Sequence, residues 1–94
     1  MIRIYIDTND MDRAGWCHLL QFEGRSLDEA ASDLSLTEGM PVILFYQDPG
    51  EEFEFDGTVH FRDGRWLAKA NLDSYRLISV TPLEDLRKQS WFKG

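Results

Sequence analysis

The stretch His60–Ala68, HFRDGRWLA, constrains this chain most, because Asp63-Gly64 forms a two-residue turn that fixes its own strand register. The favoured hairpin turn needs positive φ at both positions. Asp-Gly tolerates that, and the turn's twist matches the flanking strands. Pairing then runs outward. Arg62 opposes Arg65, Phe61 opposes Trp66, Val59 opposes Ala68, Gly57 opposes Ala70 and Phe55 opposes Leu72. A slip of one residue would turn every side chain to the other face and scatter these small and apolar pairs. Phe61 and Trp66 are expected to meet with both rings turned inward.

The preceding Asp48-Pro49-Gly50-Glu51 reads as a second turn. It sets Tyr46 against Phe53, Leu44 against Phe55 and Val42 against Gly57, so one face of three strands is apolar. Gly57 sits mid-strand, where a missing side chain permits a bend or a close backbone approach. A strand from about residue 52 to 62 that bends there can serve two sheets. The opposite face carries Ile43, Phe45 and Leu67 among Glu54, Asp56 and His60. That is too apolar for a wet surface, and it predicts either a covering element or a docking patch.

Ile2, Ile4 and Ile6 alternate with polar neighbours and predict a first strand. WCHLLQF, residues 16–22, predicts another, with Trp16, His18, Leu20 and Phe22 on one face. In SLDEAASDL, Ser26 and Glu29 form a capping box ahead of the apolar stripe Leu27, Ala30, Ala31 and Leu34, which predicts a short helix lying on the sheet. Asp28 and Glu29 suit its N-terminal end and are expected to face water. Thr81, Pro82 and Glu84 repeat the signal and predict a C-terminal helix.

Ninety-four residues suit one domain. No apolar run approaches the ~20 residues of a membrane helix, and no basic flank leads into a long apolar stretch, so neither a membrane span nor a signal peptide is expected. Cys17 is the single cysteine, which excludes an internal disulfide and points to a reducing, cytoplasmic setting. The net charge of −7 disfavours contact with phosphate backbones and suits a basic protein partner.

The run LTEGMPVILFYQDPGEEFEFDGTVHFRDGRWLAKANLDSYRLI resembles the core of small, bent barrels of the Src-homology and Tudor kind. The likeness lies in the EGM turn, DGTV in the bent strand, the DGRW hairpin and NLDSYRLI entering a last strand. It covers residues 37–79. The resemblance implies a curled antiparallel barrel. In Tudor-like barrels aromatics at the rim cage methylated cations, and here Tyr46, Phe53, Phe61 and Trp66 are placed close together. Core filling competes with that reading, since Leu44, Phe55 and Val59 share their face.

Motifs for catalysis or metal binding are sparse. Asp10–Gly15 echoes the start of a calcium loop, but Ala14 and Gln21 stand where ligands belong. Cys17 and His18 are strand neighbours and point to opposite faces. No phosphate loop and no nucleophile elbow are present. No cofactor is expected.

The sequence thus predicts an α+β domain: a strongly bent antiparallel sheet or small barrel, with one short helix between strands and one at the C-terminus. The leading functional expectation is a non-catalytic protein-interaction or regulatory domain, of which an inhibitor or immunity-type protein is one version. Its contact surface would be Ile43, Phe45 and Leu67 with Glu51, Glu52 and Glu54, meeting a basic partner or a second copy. The alternative is a small enzyme or a metal- or ligand-binding protein using His18, His60 and Cys17.

Overall fold

The computed structural model describes residues 1–80. The helix expected from Thr81 lies outside the described residues. The strands are β1 (Arg3–Ile6), β2 (Trp16–Cys17), β3 (Leu20–Phe22), β4 (Arg25–Ser26), β5 (Pro41–Gln47), β6 (Glu51–Arg62), β7 (Arg65–Ala70) and β8 (Arg76–Val80). Helix α1 spans Leu27–Leu34, and a single 3-10 turn covers Leu72–Ser74. The strands form one sheet in the order β2-β7-β6-β5-β1-β3-β4, with β8 paired to the first part of β6. The chain is a mostly β, curled half-barrel carrying one helix among the described residues.

The hairpin forms in the register that Asp63-Gly64 dictates. Asp63 has φ 52° and Gly64 has φ 81°. Arg62, Phe61, Val59 and Gly57 face Arg65, Trp66, Ala68 and Ala70. The β5–β6 hairpin also follows its turn, with Tyr46, Leu44 and Val42 opposite Phe53, Phe55 and Gly57. Asp48 closes that turn, its Oδ1 accepting from the amides of Gly50 (2.7 Å) and Glu51 (2.8 Å). Val42, Leu44, Phe53, Phe55, Val59, Ala68 and Ala70 are buried, and Ile4, Ile6, Cys17, Leu20 and Leu27 complete the core.

Several expectations are corrected. Phe55 does not oppose Leu72. Strand β7 stops at Ala70, and the Asn71 amide donates to the Asp56 carbonyl (2.8 Å) as the chain turns away. Tyr75 packs on Phe53 and Phe55 instead, at centroid distances of 5.3 and 5.6 Å, and Leu72 is left exposed. Phe61 and Trp66 do meet, edge to face at 5.3 Å, but Phe61 is 48% exposed because the hairpin tip projects past the core. The sheet is not wholly antiparallel. β1 runs parallel to β5, since the chain between them detours through β2, β3, β4 and α1 before returning.

WCHLLQF is not one strand. It breaks at His18–Leu19, whose amides both donate to Asp10 Oδ2. The break resets the alternation, so Cys17 and Leu20 are both buried and His18 is exposed. It also closes the fold. β2 pairs with β7 at one end of the strand order, while β3 pairs with β1 near the other. The three residue steps from Cys17 to Leu20 span at most about 11 Å, so the two ends of the sheet must curl to within that reach.

Helix α1 packs against β3, β4 and β7 beside this seam. Ser26 Oγ caps it by accepting from the Glu29 amide (3.3 Å), and Leu27 and Ala30 are buried. Asp28 does not simply face water. Its Oδ1 accepts from the amide of Trp66 (2.7 Å), which lies past the short reach of β2. A side chain thereby satisfies a strand-edge donor that no strand reaches.

Candidate functional site

The strand ends and the helix start converge on one concave mouth of about 600 Å³. Tyr5 and Asp7 reach it from the end of β1, Tyr46 from the end of β5, Trp66 from the start of β7, and Asp28 from the first turn of α1. His18 and Leu19 border it at the seam, and Arg65 borders it at the hairpin. The rings of Tyr5 and Tyr46 lie 5.9 Å apart, inclined by 32°. Tyr46 donates its hydroxyl to Asp48 Oδ2 (3.3 Å). Partial burial first, and the Asp48 carboxylate second, raise the pKa of that phenol, so it stays protonated and uncharged.

The contact residues expected from sequence lie on the outer, convex face. Ile43 and Phe45 stand on β5, while Leu67 stands on β7 opposite His60, with β6 between the two groups. Phe45 is not bare. The Arg3 guanidinium lies 4.3 Å above its ring, and Tyr5 meets it edge-on at 5.5 Å. Glu52 and Glu54 are also engaged. Arg3 bridges them at 3.2 and 3.5 Å, and Arg76 joins Glu54 to Asp56 at 3.0 Å each. Glu51 stands exposed at the turn end, paired with Val80. Glu52, Glu54 and Asp56 thus form an ion-paired strip with Arg3 and Arg76 on this face.

His18, His60 and Cys17 are dispersed. Cys17 is fully buried, with Sγ 3.7 Å from the Gly15 carbonyl. Burial, then Asp10 and Asp12, push its pKa up to about 12, which leaves it a protonated core thiol at neutral pH. Among the described residues no group of three His, Cys, Asp or Glu side chains is placed to hold a metal ion.

His60 instead heads a cluster on the convex face. Its Nδ1 lies 2.6 Å from Glu38 Oε2 and its Nε2 2.7 Å from Thr58 Oγ1. Trp16 packs edge-on against the ring at 5.4 Å. Glu38 also accepts from the Phe61 amide (3.0 Å) and from Arg62 (2.9 and 3.1 Å). The Arg62 guanidinium first, then His60 and the Phe61 amide, pull the Glu38 carboxyl down to about 2. Spacing alone places Thr58 and His60 on one strand face. Nothing in the sequence marks Glu38, twenty-two residues from His60, as their partner.

This gives an acid-stability prediction. A carboxyl whose folded value lies below its ordinary 4.5 contributes stability above pH 4.5, and the contribution is lost as pH falls through about 2. Urea midpoints of the wild type and of Glu38→Gln should therefore differ at pH 7 and converge between pH 4.5 and 2. Coincident curves at every pH would show that the clasp adds nothing to stability.

No family model, no curated protein and no solved structure matches this chain.

Proposed function

We propose that the protein is an interaction domain of the cytoplasm whose mouth receives a cationic side chain from a basic protein partner. One observation carries the reading: Tyr5, Tyr46 and Trp66 share a single cavity with the carboxylates of Asp7 and Asp28. Aromatic faces attract an ammonium or guanidinium group with about 0.5–2 kcal/mol each, more where water is displaced. The carboxylates add charge complementarity, and they outnumber Arg65, which shares the cavity. A net charge of −7 steers a basic partner toward the domain before contact. The convex strip of Ile43, Phe45, Leu67, Glu51, Glu52 and Glu54 is the competing contact surface. The internal pairing of Glu52 and Glu54 with Arg3 and Arg76 argues for the mouth over it.

The test is an amide-shift titration with a ten-residue lysine-rich peptide at low and at high salt. Shifts are expected at the mouth, weakening with salt, and Trp66→Leu combined with Asp7→Asn should weaken binding about tenfold, the scale of one lost cation–aromatic contact plus a partly screened charge. Shifts confined to residues 43, 45, 51, 52, 54 and 67 would move the contact to the convex strip. No shifts at any peptide concentration would refute a basic partner.

A further inference from the structure

The Glu38–His60–Thr58 cluster is separate from the mouth, and its geometry has its own chemistry. The ionised Glu38 carboxylate can only accept, so the His60 Nδ1 facing it at 2.6 Å carries the hydrogen. In the neutral ring Nε2 is then left with its lone pair toward Thr58 Oγ1 at 2.7 Å, and the hydroxyl must donate. A hydroxyl held on an imidazole nitrogen, with the other ring nitrogen fixed by a carboxylate, is the arrangement that activates an alcohol as a nucleophile. Glu38 is itself anchored by the Phe61 amide and by Arg62, and Trp16 closes one side of the ring, so the orientation of His60 is fixed. Thr58 also borders open space. Thr58 lines a groove of about 650 Å³ with Asp56, Gly57, Lys69 and Asn71, and Lys69 is its register partner across the hairpin.

We propose that this convex-face groove is an acyl-transfer site for small carboxylic esters, with Thr58 as nucleophile, His60 as general base and Glu38 as the residue that positions it. Thr58 Oγ1 attacks the ester carbon while its proton passes to His60 Nε2. The tetrahedral oxyanion develops in the groove that Lys69 lines, with the Lys69 ammonium 5.4 Å from the centre of the Trp16 ring. Collapse breaks the bond to the leaving alcohol, which takes the proton from Nε2. A water molecule then gives its proton to the same nitrogen and attacks the acyl-threonine. Collapse of that second intermediate returns the proton to Oγ1 and releases the carboxylic acid. The reaction is redox-neutral and consumes one ester and one water.

The experiment is incubation of the full chain with p-nitrophenyl acetate, followed by intact mass and peptide mapping. One acetyl group on Thr58 is expected. Thr58→Ser should retain labelling, Thr58→Val should abolish it, and His60→Gln should slow it about 100-fold, the scale of a lost general base. Glu38→Gln should slow it, because a side-chain amide no longer enforces the Nδ1–H form, and Glu38→Asp should recover part of the rate. Circular dichroism of each variant separates chemistry from unfolding. Acetyl on Lys69 or the N-terminal amine in place of Thr58 would overturn the proposal, and so would labelling of Thr58 that His60→Gln leaves unchanged.

Discussion

Gly15→Ala is expected to destabilise the domain by about 3–4 kcal/mol, combining a disfavoured left-handed backbone with a steric clash. Gly15 has φ +95°, and a Cβ there would sit 2.5 Å from the carbonyl oxygen of Ala70. That obstacle is backbone and cannot swing away. The Ala70 amide donates to the Gly15 carbonyl at 2.8 Å, so relieving the clash would also break the bond that docks β2 onto the end of β7. For a chain of this size the loss corresponds to a fall in Tm of roughly 15–25 °C. Thermal unfolding measures it, and a fall of under 5 °C would show that the seam is not held at this point.

The position of Gly15 shows which kind of information the sequence carried. The β5–β6 and β6–β7 hairpins were legible because their turns are made of neighbours: Asp63-Gly64 adopts its positive φ angles locally, and Asp48 accepts from amides two and three residues on. The start of α1 was legible for the same reason, since Ser26 caps the amide of Glu29. The apolar face of β5, β6 and β7 then followed from register alone.

What stayed hidden depends on groups far apart in the chain. Asp10 interrupts the expected second strand by taking the amides of His18 and Leu19, and a polar loop residue gives no sign of that task. Asp28 reaches the Trp66 amide across thirty-eight residues. The parallel β1–β5 pair follows from a detour whose direction no local pattern records. Both candidate sites are of this kind. The mouth gathers Asp7, Tyr46 and Trp66 from three strand ends, and the convex cluster joins Glu38 to His60. Alternation did place Asp56 with His60, and Ile43 with Phe45, on shared faces. It could not show that Arg3 would roof Phe45 and bridge Glu52 to Glu54.

Gly57 supports the second large prediction, which is about coupling between two residues rather than a single loss. A Cβ at this position would lie 2.6 Å from Leu44 Cδ1, 2.9 Å from Leu44 Cγ and 2.9 Å from the Lys69 carbonyl oxygen. Leu44 is fully buried, with Phe55 as its register partner and Gly57 diagonal to it, so it has no solvent to retreat into. Gly57→Ala should therefore cost about 2–3 kcal/mol by overpacking. Leu44→Ala should cost about 3–4 kcal/mol by leaving a cavity. Together they should cost about 1–2 kcal/mol less than the sum, because the new methyl occupies space that the leucine vacates. Rescue stays partial, since the Lys69 carbonyl keeps its place in the β6–β7 ladder and still crowds the added carbon. Urea unfolding of the two single variants and the double variant measures the coupling. Simple additivity would mean that Leu44 is not the obstacle, and that the glycine serves only to admit the carbonyl of β7.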